Sequence, residues 1–306
     1  MKNTAKWLLL TEIPKFGQAT LLKLVNEFGS IEKIYSATED ELLEIKRINK
    51  NSVKDFIERR EDESVIESYA SRLKDLANEN IRILPLYEDS YPSLLKKITN
   101  PPANLYIKGK NLDVNSLKLI SIVGTRDASS TGKAKAHEYA RELTENGYLI
   151  VSGLALGIDT AAHEGALDAE GGLTIAVLAH GLKENFILPP ENVPLYKRIC
   201  ENGFACTEYS MDTMGSKFNF PQRDRIISGL CEATIVCEAR TESGTIIAAK
   251  NAIEQGRQLF VRSSVGTKGR RWFSRLLKMG ATPVESSDDV VEYLKNKKPA
   301  VEKPEA

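Results

Sequence analysis

The chain has 306 residues, of which 42% are hydrophobic and 27% are charged, a composition typical of a water-soluble globular protein. Its 42 Lys and Arg residues balance 42 Asp and Glu residues, so the formal net charge is zero. Neutrality excludes a generally basic surface, and any nucleic acid would have to be bound by a local patch.

The first segment, MKNTAKWLLLTEIPKF, carries a short apolar run that is interrupted by Glu12 and Pro14. The run is too short to span a membrane, and no small-residue cleavage site follows it. We interpret it as the first buried helix of a cytoplasmic protein that has no membrane partner.

Apolar residues recur every three or four positions in QATLLKLVNEFG and DELLEIKRINKNSVKDFIE, which predicts a helical domain over residues 1–78. Glycines separate its helices in IPKFGQAT and FGSIEKI. The first of these segments resembles the hairpin of a helix-hairpin-helix unit, in which exposed amides can meet a DNA phosphate. A small helical bundle with glycine C-caps explains the same pattern, and Lys15 is the only cation in that hairpin.

The period of the apolar residues changes near residue 80. IRILPL and LYIKG predict two strands, and KLISIVG, YLIVSG, LTIAVLA, FACTEY, TIVCEA and QLFVRS predict six more that alternate with helices. Continuous β-branched runs indicate strands buried on both faces, as in a parallel sheet. The fold class is therefore α/β, with a Rossmann-like, mostly parallel sheet over residues 79–294 that binds ligands at the carboxyl ends of its strands. The polar tail, residues 295–306, is expected to be disordered.

The loop in IVGTRDASSTGKAKA follows a predicted strand and precedes a helix. Gly124 permits the chain to turn after the strand. Backbone amides in the loop can bind a phosphate, and Arg126 can donate two hydrogen bonds to it. The segment is not a GxGxxG motif, which disfavours a dinucleotide. A plain turn with Arg126 on the surface is the alternative.

The loop in VSGLALGIDTAAHEGAL places Asp159 in the first turn of a helix, with His163 four residues later on the same face. A His–Asp catalytic dyad would need a nucleophile, and Ser152 is the only candidate. We therefore interpret His163 as a structural residue or a neighbour of a phosphate.

The loop in CEARTESGTIIAAKNAIEQGR offers hydroxyls and amides at the positive end of a helix, contributed by Ser243, Gly244 and Thr245. Gly256 is expected to end this helix. A capped helix without a ligand explains the same residues.

The segment FNFPQRDRIISGL places Arg223 and Arg225 just before an apolar run, although a helix N-terminus disfavours cations. An anion at this position would explain the pattern. The segment lies between two predicted strands, so both arginines can reach the same sheet edge as Arg126 and form a phosphate pocket there. Phe218 or Phe220 would add a face on which a base could stack.

The alternative is that these arginines pair with the carboxylates of Asp224 and Glu238.

The chain has four cysteines and three histidines, and the cysteines form no CxxC pair. We expect reduced core thiols, no metal site and no cofactor.

Taken in order, IVGTRDAS, SGLALGIDTAAHEGAL, TIAVLAHGL, FNFPQRDRIISGL and EARTESGTIIAAKNAIEQGR resemble the DNA-processing protein A (DprA, or Smf) family. IPKFGQATLLKLVNEFGSIEKIYSA and YEDSYPSLLKKITNPPANLYIKG resemble its preceding segments, so the resemblance covers residues 5–292. It implies a non-catalytic protein with an extended Rossmann domain that binds single-stranded DNA. It also implies protection of DNA in natural transformation, loading of RecA recombinase and a homodimer.

The resemblance carries phosphate contact to seven residues: Arg126, Ser152, Gly153, Arg223, Arg225, Ser243 and Gly244. Gly124, Phe220 and Thr245 complete the predicted DNA-binding set. Backbone contacts of this kind give sequence-independent, salt-sensitive binding.

The sequence departs from the family pattern at two places that concern charge. Asp224 stands where the family usually has Asn, which lowers the local positive charge. The stretch TKGRRWFSRLLKMGA, residues 267–281, replaces a glycine-and-asparagine loop and contains Lys268, Arg270, Arg271, Arg275 and Lys278 beside Trp272 and Phe273. This stretch is either a second DNA-contact surface or a solvated helix face.

Two other functions fit a Rossmann phosphate pocket. One is a LOG-like (lysine-decarboxylase-like) nucleotide phosphoribohydrolase, whose PGGxGTxxE loop carries a Glu as acid–base group. In EARTESGTIIAA no Glu lies in that turn, because Ala248 and Ala249 follow Thr245 and two isoleucines. The other is a nucleotide-sensing module that binds a small ligand in the same pocket.

Overall fold

The computed structural model describes residues 1–240, 244–264 and 270–296. The residues expected to form a disordered tail lie almost entirely outside this description. Within it, the helices are α1 (Lys2–Thr11), α2 (Gln18–Phe28), α3 (Ile31–Ser36), α4 (Glu39–Leu43), α5 (Lys50–Arg60), α6 (Glu63–Asn78), α7 (Ser93–Lys96), α8 (Ser130–Glu145), α9 (Ile158–Asp168), α10 (Val193–Asn202), α11 (Asn219–Leu230), α12 (Gly244–Glu254), α13 (Arg271–Lys278) and α14 (Ser287–Asn296). The strands are β1 (Ile81–Pro85), β2 (Asn104–Gly109), β3 (Lys118–Gly124), β4 (Tyr148–Ser152), β5 (Thr174–Val177), β6 (Phe204–Thr207), β7 (Ala233–Glu238), β8 (Gln258–Arg262) and β9 (Thr282–Val284).

The nine strands form one sheet in the order β1-β2-β6-β5-β4-β3-β7-β8-β9. The pairs β1–β2 and β2–β6 are antiparallel, and the other pairs are parallel. From β3 the chain adds strands on one side as far as β6 and then crosses to the opposite side of β3 with β7. The carboxyl ends of β3 and β7 therefore flank the point where the winding direction switches, which is where open α/β sheets bind ligands.

The sequence-based fold class is confirmed, since a helical N-terminal segment precedes a mostly parallel sheet with helices between its strands. All eight predicted strands are present. The edge strand β9 was not predicted, because it has only three residues and contains Pro283, which sequence patterns assign to a loop.

The N-terminal helices contain two equivalent hairpin turns. Lys15 and Arg47 both have a φ of 66°, and they precede α2 and α5 by the same number of residues. The glycine predicted to separate two helices in FGSIEKI does so, since Gly29 ends α2 with a left-handed cap before α3. The segment DELLEIKRINKNSVKDFIE, whose apolar residues recur at helical spacing, divides between α4 and α5. The second hairpin turn lies between these helices, and the side chain of Asn49 caps α5.

Each hairpin is held by a helix of the other hairpin. Ser52 of α5 donates its hydroxyl to the carbonyl oxygen of Pro14, and Lys23 of α2 donates to the carbonyl oxygen of Lys46 at 2.8 Å. Pro14 and Lys46 each stand immediately before the residue with positive φ. Each of these two hydrogen bonds joins one hairpin to a helix of the other, and together they fix how the two hairpins pack.

The first helix joins the helical segment to the sheet. Trp7 is fully buried, and its indole N–H lies 3.0 Å from the Asn104 Oδ1 atom and 3.1 Å from the Ala103 carbonyl oxygen. Buried residues of α1 and of the sheet belong to one continuous hydrophobic cluster. The division into a helical domain (1–78) and a sheet domain (79–294) stays a prediction.

Replacing Trp7 by Phe should lower the free energy of unfolding by roughly 2–4 kcal/mol, because the substitution opens a cavity and leaves buried acceptors without their donor. Urea denaturation followed by far-UV circular dichroism measures this loss. An unchanged midpoint would contradict the role given to the Trp7 contact.

Candidate functional site

A cleft of about 600 Å³ opens at the carboxyl ends of β3 and β7. Its walls come from the loop after β3, the first turns of α11 and the first turns of α12. We call it the switch-point cleft. The residues that line it include Gly124, Thr125, Arg126, Asp127, Asp159, Lys217, Phe220, Arg223, Asp224, Arg240, Gly244, Thr245 and Ile247.

Arg126, one of the predicted phosphate-binding residues, is exposed and lines the switch-point cleft. Its guanidinium carbon lies 4.8 Å from the centroid of the Phe220 ring, a cation–π contact. A guanidinium can donate two parallel hydrogen bonds to a phosphate. Arg126 therefore presents an exposed cation beside an aromatic ring in the cleft.

Arg223 has a different environment, since it is 4% exposed. Its guanidinium donates to the carbonyl oxygens of Gly153 and Val177, the latter at 2.6 Å, and its Nε atom lies 3.1 Å from Asp224 Oδ1. These acceptors lie at the ends of β4 and β5 and on α11. Arg223 therefore ties the start of α11 to two strand ends and forms part of the cleft floor.

Ser152 and Gly153 lie beneath this arginine. The Ser152 hydroxyl is buried and donates to the carbonyl oxygen of Ile122 at 2.6 Å. A Cβ atom at Gly153 would lie 2.1 Å from the Arg223 Nη1 atom, so only glycine fits under the guanidinium. The sequence analysis predicted that Ser152, Gly153 and Arg223 lie on the surface that faces a phosphate. In the structure, Ser152 and Gly153 lie below that surface. The Ser152 hydroxyl and the Arg223 guanidinium, which were expected to donate to a ligand, donate to main-chain carbonyl oxygens instead.

Arg225 does not line the switch-point cleft. It forms a two-contact ion pair with Glu208, at 2.6 and 2.9 Å, and both side chains are largely buried. Gln18, the first residue of α2, donates to the same carboxylate at 2.9 Å. The expected position of Arg225 beside Arg126 is therefore corrected: this arginine joins α11 to the first N-terminal hairpin.

Two carboxyl groups face the floor of the cleft. Burial raises the pKa of Asp224 to about 6, because desolvation and the charge of Asp159 outweigh the attraction of the Arg223 guanidinium. Burial raises the pKa of Asp159 as well. The positive charge in the cleft is therefore partly cancelled near neutral pH.

The alternative interpretation, in which the arginines of FNFPQRDR pair with Asp224 and Glu238, holds for one of these two carboxylates. Arg223 contacts Asp224, as that alternative required. Glu238 instead caps α8, where its carboxylate accepts from the Ser129 hydroxyl at 2.7 Å and from the Ser129 backbone N–H at 3.3 Å. This cap fixes the loop that carries Arg126, since Ser129 closes that loop.

His163 is buried and its Nδ1 atom lies 2.8 Å from the Thr174 hydroxyl, while its Nε2 atom has no hydrogen-bond partner within the described part of the chain. Burial lowers its pKa to about 3. Its contact with Thr174 agrees with the structural interpretation, in which no His–Asp dyad was expected.

The remaining predicted residues divide between the cleft and other places. Gly244 and Thr245 form the first turn of α12 at the cleft wall, as predicted, and Gly256 follows the end of this helix with a φ of 71°. Ser243 and Lys268 lie outside the described residues.

The described part of the basic stretch contains α13, an amphipathic helix. Trp272 and Phe273 are buried against the core, while Arg270, Arg271 and Arg275 are exposed. The aromatic residues therefore belong to the packed face. Whether the exposed cations form a second DNA-contact surface stays a prediction.

Sequence reasoning missed two cations at the cleft. Lys217 is exposed and lines it, and Arg240 lines it while pairing with Asp127. Lys217 stands directly before the segment FNFPQRDR, so extending that motif by one residue would have found it. Arg240 lies two residues after the end of β7, in the segment CEARTESGTIIAAKNAIEQGR, so the signal that marked Arg126, a cation just after a strand, would have found it.

Comparison with known proteins shows the family of the chain. A family model described as DNA recombination-mediator protein A matches residues 82–295, and one described as a SAM-like helix-hairpin-helix tandem matches residues 8–62. The chain belongs to the DNA recombination-mediator protein A family.

Individual relatives agree with this assignment. The DNA processing protein DprA of Bacillus subtilis is 36% identical over 217 residues, which cover 71% of this chain and 72% of that protein. The structure of DprA from Streptococcus pneumoniae aligns with a TM-score of 0.79 and 29% identity, over 95% of this chain and 98% of that one. DprA from Helicobacter pylori aligns with a TM-score of 0.62 and 30% identity, over 70% of this chain and 95% of that one.

Replacing Arg225 by Ala should lower the free energy of unfolding by roughly 3–5 kcal/mol, because Glu208 would remain buried without its partner. Urea denaturation measures the loss. The double variant R225M/E208L removes both charges and should recover most of the stability. A single variant as stable as the unmodified protein would contradict the structural role of this pair.

Proposed function

We propose that this protein binds single-stranded DNA without sequence preference, with the phosphates of the strand in the switch-point cleft. The observation that carries the proposal is the position of Arg126, which is exposed, in contact with the Phe220 ring and placed at the mouth of a cleft at the sheet switch point. The DprA of Helicobacter pylori, which aligns with this chain, is described as having a single-stranded DNA binding mode.

The electrostatics favour a polyanion that is held locally. Lys217 and Arg126 lie on the cleft and face solvent, and the first turn of α12 adds the partial positive charge of its amides. Because the net charge of the chain is zero, this region supplies the attraction that the whole surface does not. Contacts to phosphates rather than to base edges make binding independent of sequence.

The family assignment extends the proposal to a biological role. We propose that the protein protects single strands, loads a RecA-type recombinase on them in natural transformation and recombination, and acts as a homodimer in the cytoplasm. We also propose that it has no catalytic activity of its own. The description of the family as a recombination mediator supports this role.

The two competing functions remain distinguishable by experiment. A phosphoribohydrolase would release free base from a nucleoside monophosphate, and a sensor would bind a mononucleotide without competition from single strands. The turn of α12 that follows Gly244 and Thr245 contains Ala248 and Ala249 in place of the Glu of the phosphoribohydrolase motif, which favours binding over hydrolysis by that mechanism.

Replacing Arg126 by Ala should weaken binding of a short oligothymidylate by about tenfold and lower the slope of log K against log salt by roughly one, because one phosphate contact is lost. Fluorescence anisotropy at several salt concentrations measures both quantities. The control is R141A, which removes an exposed arginine of α8 that pairs with Glu145. Equal affinities for R126A and the unmodified protein would overturn the proposal.

Replacing Asp224 by Asn should strengthen binding by about fivefold near pH 8, because removing one negative charge close to a phosphate is worth about 1 kcal/mol. In the unmodified protein, protonation of Asp224 near pH 6 has the same effect, so affinity should rise as the pH falls from about 8 to about 5.5. The D224N variant should lose most of this rise.

The control for this experiment is D55N, which removes a partly exposed carboxylate of α5 that pairs with Arg59, does not line the cleft and leaves Asp224 in place. It should reproduce the pH profile of the unmodified protein. A D224N variant whose affinity rises on acidification as much as that of the unmodified protein would show that another group is responsible.

A further inference from the structure

Phe218 is 72% exposed, although an aromatic ring of this size is normally buried or placed against a partner. The two phenylalanines of the FNFPQRDR segment differ in this respect. Phe220 is partly buried, and its ring carries the guanidinium of Arg126 at 4.8 Å and that of Arg223 at 6.0 Å. The Phe220 ring is therefore occupied by cations, and Phe218 is the ring of this segment that is open to a ligand.

The backbone that carries Phe218 is fixed. The Asn219 backbone N–H donates to the Ser216 carbonyl oxygen at 3.0 Å, and the Ser216 hydroxyl donates to Asn219 Oδ1 at 2.8 Å. The Asn219 side-chain amide also donates to the carbonyl oxygen of Ala179 at 3.0 Å. These bonds anchor the turn before α11 to the end of the sheet, so the backbone that carries the ring is held in place.

Lys217 connects this ring to the switch-point cleft. Its side chain lines the cleft, and its Nζ atom lies 5.2 Å from the centroid of the Phe218 ring. A cation beside an open aromatic face is the combination that binds a nucleotide, since the ammonium group neutralises the phosphate and the ring stacks on the base. The ring is therefore continuous with the cleft and lies at its edge.

We propose that Phe218 is a stacking platform for one nucleobase of the strand whose phosphates occupy the switch-point cleft. This inference rests on the proposed function. Stacking accepts any base, because every base has a π-face, so it preserves sequence independence. It also gives a preference for single strands, since the bases of a duplex are already paired and stacked and cannot lie on the ring.

The test compares two oligothymidylates of equal length, one intact and one in which every base is replaced by a tetrahydrofuran abasic unit, together with a duplex. By fluorescence anisotropy, F218A should bind the intact strand about tenfold more weakly than the unmodified protein. It should bind the abasic strand and the duplex as the unmodified protein does. F218W keeps a stacking ring and should retain affinity for the intact strand.

A control is Y293A, which removes an aromatic ring of α14 that is 38% exposed and packs edge-on against Phe260. This variant should bind both strands as the unmodified protein does. Because Phe218 is exposed, F218A should unfold at the same urea concentration as the unmodified protein. An F218A variant that binds the intact strand as tightly as the unmodified protein would overturn the stacking platform and leave the phosphate cleft standing. Failure of the unmodified protein to bind either strand would overturn the proposed function and this inference together.

Discussion

The rest of the site depends on the hydrogen bonds made by the buried guanidinium of Arg223. It donates to the carbonyl oxygens of Gly153 and Val177 and contacts Asp224, and so it fixes the start of α11 against the ends of β4 and β5. A buried arginine is stable only when its donors are satisfied, which main-chain carbonyls achieve here. With α11 fixed, Phe220 is positioned to contact Arg126, and the turn before it presents Lys217 and Phe218 at the cleft.

The three arginines predicted to bind phosphate therefore have two roles, since two of them are structural and one is exposed at the cleft. Arg223 and Arg225 hold α11 to the strands and to the first N-terminal hairpin, while Arg126 faces solvent at the cleft. The carboxyl group of Asp224 lowers the attraction for anions near neutral pH, because burial leaves it charged only above a pKa of about 6. Because only a few cations line the cleft, the proposed binding would neutralise few phosphates, and its affinity should fall with salt at a correspondingly shallow slope.

The strands, their alternation with helices and the location of the site at their carboxyl ends were predictable, because continuous apolar runs and glycine-containing loops are local signals. The partners of each arginine were not. Arg223 and Arg225 are two residues apart and look alike in the sequence, yet burial and their separate acceptors give them different roles. The second N-terminal hairpin was missed for a related reason: Asn49 occupies the position that Gly17 holds in the first, so a search for glycine turns finds only one of them.

The most direct test of this account is a structure of the protein bound to a short oligothymidylate. The account predicts phosphates within hydrogen-bond distance of Arg126 and Lys217 in the switch-point cleft, with Arg223 still donating to the Gly153 and Val177 carbonyl oxygens. A strand bound on another face, with the switch-point cleft empty of phosphate, would contradict it.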